Sequence, residues 1–402
     1  MREADGTEPA RGVPARVKGL SLVSLFNDVA SEMVYPLLPA FITRTLGGGA
    51  LALGVLDGAA ELTSSLVKWV SGRLTDRPGW QKPLILWGYA LAVLVRPVIS
   101  GATSAVQVVG LRVVDRIGKG VRTPPRDAMI AEITAPAARG RAFGFHRAAD
   151  HFGAVLGSVA AWWLLSRGTD VRTVIAWSVV PGVIAFVVLA VVLRGVRGHS
   201  EVRSQESGVR QEIAPHSRLQ TPDSFWPPVM ALTALTFFRL PEALLILRLQ
   251  DRGVAVAAIP LVWGGLHVVR SLSSYPGGWL SDHLGPRRVI AAGGLLFAAV
   301  ALLFGNPVTP VLAILLFLVL GLVAGLTESG ERAVVARLGP LRVGRAFGSY
   351  HALVGAAALP AGLIFGALYQ SAGARAALWG SAAGMGLAVV AWLVISPSDE
   401  DR

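Results

Sequence analysis

Residues 72–77 read Gly72-Arg73-Leu74-Thr75-Asp76-Arg77, and residues 278–283 read Gly278-Trp279-Leu280-Ser281-Asp282-His283. A second pair keeps nearly the same interval: Gly140-Arg141-Ala142-Phe143-Gly144 returns as Gly344-Arg345-Ala346-Phe347-Gly348. Both intervals are about half the chain, roughly 205 residues. One such match is plausible by chance, whereas two at nearly one offset indicate a unit repeated in parallel.

Outward from these blocks, the chain is apolar. Of 402 residues, 53% are hydrophobic and only 15% charged, more apolar side chain than a soluble fold hides. Stretches near the length that a bilayer demands, about 20 residues, fall at 20–46, 50–72, 83–101, 104–121, 141–165 and 171–194. Six more follow at 225–249, 254–281, 288–306, 309–327, 345–371 and 375–395. The expectation is an all-α integral membrane protein, with twelve transmembrane helices in two pseudo-symmetric six-helix bundles. A tail over 1–18 precedes the first bundle at 19–194, a polar linker over 195–224 leads to the second at 225–396, and residues 397–402 form the other tail. A catalytic globular domain has no room in this plan.

The net charge is +12. In a soluble protein that surplus would point to nucleic acid; here it sorts by loop. Arg73, Arg77, Lys82, Arg126, Arg139, Arg141, the linker arginines, Arg287, Arg288, Arg337, Arg342 and Arg345 fall in alternate connections. The positive-inside rule then places both termini in the cytoplasm and leaves nucleic acid without a role. Cysteine is absent, which removes disulfides, thiolate metal sites and thiol nucleophiles. Residues 1 to about 18 lack the apolar core of a cleaved signal.

With these residues in view, the sequence resembles the major facilitator superfamily of secondary transporters over essentially its whole length. Gly72, Leu74, Asp76, Arg77, Gly79 and Lys82 follow the pattern G-x-L-x-D-R-x-G-x-[RK], with Gln81 where a basic residue is more common. Arg112, Gly118 and Gly120 resemble the R-x-x-x-G-x-G segment of the fourth helix, with Arg116 in place of glycine. Gly153 and Gly157 resemble the fifth-helix motif of antiporters, with Ser158 in place of proline. The run from Asp115 to Asp127, D-R-I-G-K-G-V-R-T-P-P-R-D, is similar to a branch of bacterial members. The resemblance implies a monomeric carrier in a bacterial plasma (inner) membrane. It also implies gating by Gly72, Asp76, Arg77, Gly278 and Asp282, whose cytoplasmic contacts stabilise the outward-facing state.

Charges inside the spans carry the rest of the reading, because each costs about 2.5 to 3.5 kcal/mol at the bilayer centre and asks for a partner or a function. At about 1.5 Å of rise per residue, Asp28 lies about 12 Å and Glu32 about 18 Å into the first helix, one turn apart. Asp57 and Glu61 stand in the same relation on the second helix, and Arg112 and Asp115 lie about 12 and 16 Å into the fourth. Glu32, Glu61 and Asp115 are therefore expected at one level, with Arg112 above. Such a group suits proton coupling; a structural ion network is the alternative. On the fifth helix His146 and Asp150 share a face, either as a proton site or as a clamp. A metal site has no converging ligand set in the sequence, and no cofactor is called for.

In the second half, Arg239 and Glu242 flank Pro241, which permits a break in the seventh helix. His267 and Arg270 share a face of the eighth. Glu328, Glu331 and Arg332 read as gate or snorkelling residues, as does Lys68. Five arginines inside spans, Arg96, Arg112, Arg147, Arg239 and Arg270, favour an anionic or zwitterionic solute or an anionic metal chelate, held mainly by Arg112, Arg147 and Arg239. The expected protein is thus a secondary active transporter that couples protons to a small polar solute, with efflux preferred over uptake. A multidrug antiporter or a lipid flippase on the same fold stays open, as does a transporter-like sensor. A membrane enzyme is disfavoured, since the sequence has no cysteine, no H-E-x-x-H and no G-x-S-x-G.

Overall fold

A computed structural model describes residues 13–75, 77–134, 139–194, 225–338 and 343–396, and these residues are overwhelmingly helical. Residues 1–12, Asp76, the 195–224 linker and residues 397–402 lie outside them. The first crossing is α1 (Ala15–Val34), prolonged by a 3-10 turn at Tyr35–Leu37, by α2 (Leu38–Ala40) and by a π turn at Phe41–Thr45. Pro36 and Pro39 lack backbone donors, so regular α pairing cannot continue through them. Next come α3 (Ala50–Thr75), α4 (Gln81–Val98), α5 (Ala105–Glu132) and α6 (Arg139–Ser166), then α7 (Val171–Trp177) and α8 (Val179–Arg194). Ser104 and Asp170 cap α5 and α7 by accepting from the backbone N–H groups of Gln107 and Thr173.

The second half comprises α9 (Trp226–Phe237), α10 (Glu242–Asp251), α11 (Ile259–Leu284), α12 (Pro286–Gly305), α13 (Pro310–Leu338) and α14 (Val343–Ile395). The seventh crossing does break at Pro241, which stands before α10 in an extended conformation. At 53 residues, α14 is far too long for one crossing, and Gly373 at φ +87° divides it into two. Glycine adopts that backbone without the strain that a Cβ would bring.

By length and apolarity alone eight segments qualify as membrane spans, α14 counting once. The first crossing, α5 and α6 are not among them, and they carry Asp28, Glu32, Arg112, Asp115, Lys119, His146, Arg147 and Asp150. With these three admitted and α14 divided, the arrangement is consistent with twelve crossings. The segments that fail the apolarity test hold part of the candidate site, and α3, α10 and α11, which pass it, hold the rest.

Glycines set how the helices meet. A Cβ at Gly54 of α3 would lie 2.0 Å from the carbonyl oxygen of Gly362 in α14, and the converse holds. These two helices, one from each half, therefore touch backbone to backbone. Gly153 and Gly157 do the same for α6 on α1, where an added Cβ would meet the carbonyls of Leu25 and Val29 at 2.4 Å. This pair thus serves helix packing, and Ser158 beside it is buried against Gly264 of α11.

One apolar core runs the length of the second half, from Phe225 and Trp392 to Leu244, Trp263 and Phe365, and takes in the first half only toward the Gly47 turn, at Tyr35, Phe41 and Leu53. At the opposite end the first half keeps a separate core built on Leu20, Tyr89, Met129 and Leu189. The halves are fused at one end and packed independently at the other.

Candidate functional site

The break between α9 and α10 leaves the first N–H groups of α10 without acceptors in their own helix. One of them, at Ala243, donates to Oδ2 of Asp57 across the two halves at 2.8 Å. Tyr35 donates its hydroxyl to the same carboxylate, 3.0 Å from each oxygen. The positive end of the α10 dipole favours this charge. A second link lies nearby: Trp263 of α11 donates Nε1–H to Glu32 at 2.7 Å, and His267 Nε2 stands 3.9 Å from the same oxygen. The Tyr35 and Trp263 rings, which bond one carboxylate each, lie 5.1 Å apart at a tilt of 53°. At the Gly47 end itself, the Leu51 N–H donates to Gln370 at 3.1 Å.

Deeper in the first half, Asp115 accepts from Arg96 at 2.9 Å and from Arg112 at 3.3 Å, with Arg116 Nε at 4.0 Å. Arg96 also donates to the Asn27 carbonyl at 2.9 Å, and the Arg112 guanidinium lies 4.8 Å over the Tyr35 ring. Arg96, Arg112 and Asp115 are each 3% exposed or less. Buried charges persist only when paired, and Asp115 pairs with both arginines, leaving the trio a net charge of +1. Asp28 accepts from the Asn27 amide at 3.0 Å, and the charges facing it are Asp150, Glu32, Lys119 and Arg122. His146 Nδ1 lies 3.3 Å from the Ser21 hydroxyl, and its Nε2 lies 3.8 Å from Asp150.

The second half presents an open pocket between α10, α11, α12 and α13. Leu245, Trp263, Leu266, Phe297, Phe317 and Leu320 give it an apolar wall, and Arg239, Glu242 and Arg270 are its charged members. Both arginines are engaged. Arg239 pairs with Glu331 at 3.2 Å, which Tyr350 also bonds, and Arg270 pairs with Glu328 at 3.3 Å and faces Glu242 at 4.0 Å. Arg332 holds the other oxygen of Glu328.

Three cations facing the interior of the first half differ from these. Lys68, Lys119 and Arg147 make no hydrogen bond or ion pair among the described residues, and Glu61, which shares their field, bonds only Ser65. Among the described residues no three His, Asp or Glu side chains converge as a metal site.

The sequence reading and the geometry meet unevenly. Glu32, Glu61 and Asp115, expected as one group, have separate partners, and no two of them are bonded to each other. Of the three arginines expected to hold solute, Arg112 is committed to Asp115 and Arg239 to Glu331, while Arg147 alone is unpaired among the described residues. Asp76 of the gating set lies outside the described residues; Gly72 faces open space, Gly278 lies 3.8 Å from Ser329 by its Cβ position, and Asp282 is engaged. Tyr35, Trp263, Arg116 and Lys119 were not singled out. For Arg116 and Lys119 the signal was present, since both lie within about one turn of Asp115 and obey the same depth argument. Tyr35 and Trp263 carry no charge and left no such signal.

The Major Facilitator Superfamily profile matches residues 20–269 and 240–402. A transporter of the same type from Methanocaldococcus jannaschii, itself uncharacterised, is 27% identical over 96% of this chain and 96% of its own. A multidrug resistance protein from Photorhabdus laumondii is 31% identical over 33% of each chain. Among solved structures, a POT family transporter in complex with 5-aminolevulinic acid superposes with a TM-score of 0.78 at 11% identity, covering 97% of this chain and 98% of the other.

Proposed function

The chain belongs to the major facilitator superfamily, a family of multi-pass membrane transporters rather than enzymes, and on that premise we propose that it couples protons to the export of a small anionic or zwitterionic solute. The observation that carries this reading is the latch between the halves: Asp57 on the amino end of α10, and Glu32 on Trp263 and His267. Every charge-assisted bond in it is made by a group that takes up protons. A proton on Glu32 or Asp57 weakens the latch, so proton binding and opening of this end become one equilibrium. Beyond the latch, the separately packed ends leave Lys119, Arg147 and Glu61 exposed along an opening.

In this reading both termini and the linker are cytoplasmic, the membrane is a bacterial plasma membrane, and the structure is open to the cytoplasm. Both halves of the site come from one chain, so a monomer suffices. Export is preferred because the match to a multidrug resistance protein, though confined to a third of the chain, adds to the fifth-helix likeness. A multidrug exporter is the second reading, favoured by the aromatic and aliphatic wall around Trp263.

The test is flux into proteoliposomes under an imposed pH gradient. Solute movement driven by the gradient, abolished by Glu32→Gln while solute-for-solute exchange persists, is the expected result. Full gradient-driven flux in Glu32→Gln and in Asp57→Asn would place coupling elsewhere, with Asp28, His146 and Asp150 next.

A further inference from the structure

The two walls of the opening differ in charge balance. In the second half Arg239, Arg270 and Arg332 are matched by Glu242, Glu328 and Glu331, and the rest of the pocket wall is apolar. In the first half Asp115 is already satisfied by Arg96 and Arg112, which leaves Arg116 only a distant 4.0 Å contact. Lys119 and Lys68 add charge beside it: α3 and α5 meet so closely that a Cβ on Gly120 would lie 2.7 Å from Val67, the neighbour of Lys68. Arg147 of α6 completes the patch; Glu61 and Asp28 are the carboxylates within it, and Asp127 at its edge is paired with Arg126. Lys119 stands about 21 Å along α5 with Asp28 facing it but no ion pair among the described residues, and an ammonium at that depth is expensive unless more counter-charge is supplied. His267 of α11, three residues before Arg270, stands 6.4 Å from His151 of α6, one turn beyond Arg147, so the two walls face each other.

We infer that the transported solute is an amphiphilic organic anion, whose carboxylate or phosphate is held by Lys119 and Arg116 with Lys68 and Arg147 at the entrance, and whose apolar body lies in the neutral pocket beside Trp263 and Phe317. This rests on the transporter reading and names the solute class and the subsites. A lipophilic cation meets Arg116, Lys119, Lys68 and Arg147 on this route, with Glu61 and Asp28 the facing acids that no cation pairs among the described residues. A solute without an apolar part leaves the wall of Leu245, Leu266 and Phe297 unfilled. Free organic acids and anionic lysolipids share the required chemistry, and the experiment separates them.

The purified full chain in nanodiscs is titrated with 4-phenylbutyrate, its neutral amide, 4-phenylbutylamine and lysophosphatidate, with binding and thermal unfolding as readouts. The expected result is saturable binding of phenylbutyrate or lysophosphatidate, with the amide and amine at least tenfold weaker. Preference for the first identifies a free organic acid, and preference for the second a lysolipid. Lys119→Gln and Lys68→Gln should each lose tenfold or more for the anion and little for the amide, while Lys119→Arg keeps the preference; unliganded unfolding temperatures report whether each variant is folded. The inference is overturned if neither anion binds, if the amine binds as tightly as the anions, or if folded Lys119→Gln binds the anion as the parent does. Gradient-driven flux of the amine would overturn this inference while leaving the transporter reading intact.

Discussion

Asp57 accepts from the Tyr35 hydroxyl of its own half, shared between both carboxylate oxygens, and from one backbone N–H of the other half. Asp57→Ala removes a charge-assisted link of about 1.5 to 3 kcal/mol, so the Gly47 end should open in a larger share of molecules. A cysteine placed at Gln370 should then react faster with a soluble maleimide; an unchanged rate would show that the apolar core alone holds this end. Asp115 predicts a different outcome. Asp115→Asn leaves Arg96 and Arg112 buried without an anion, a loss of about 3 to 5 kcal/mol, and should lower the unfolding temperature sharply, whereas Glu61→Gln should not. Equal stability of the two variants would remove the assigned structural role. At this scale the sequence disclosed which charges lie inside the membrane and not whom they face. Depth along a helix follows from counting residues, but the angle about its axis relative to neighbours does not, so Asp115 is placed with Glu32 and Glu61 beneath Arg112, and its bond to Arg96 stays hidden.

The elements were more legible, because apolar length, proline and glycine act locally. The break at Pro241 was expected and is observed. The fifth-helix glycines were visible as a motif, but their contact with the carbonyls of Leu25 and Val29 was not. Gly54→Val puts branched carbons where the Gly362 carbonyl stands and should separate α3 from α14. Overpacking of this kind costs about 1 to 3 kcal/mol, and the variant should expose the Gly47 end to labelling; normal closure would contradict the backbone-to-backbone seam. Outside the spans, the hydrogen bonds from Thr173 hold the Asp170 carboxyl below its ordinary range. A lowered carboxyl pKa gives stability above the unfolded value of about 3.9 that fades as pH falls through the folded one. The gap in unfolding temperature between the parent and Asp170→Ala should therefore shrink in acid. A gap that widens in acid would refute the cap.

For the whole molecule, two repeated blocks sufficed to foresee a duplicated bundle, while the unequal charge of the two walls became apparent only when acids and bases had been paired in space. The paired ends imply movement: a latch of titratable groups at one end, independently packed halves at the other. Helices α6 and α11 come from different halves and span the molecule together, and α6 also meets the short turn before α11. The chain has no cysteine, so spin labels can be placed without altering any native thiol. One pair, Arg167→Cys with Ala255→Cys, reports the latched end; the other, Arg141→Cys with His283→Cys, reports the opposite end, and all four positions are exposed. Distances across both pairs, measured in proteoliposomes at two pH values with and without 4-phenylbutyrate, test alternation directly. The account predicts a short first distance and a long second one at rest, and a second population under coupling conditions in which the first lengthens as the second shortens. Two ends that open and close together, or that never change under conditions of gradient-driven flux, would contradict it.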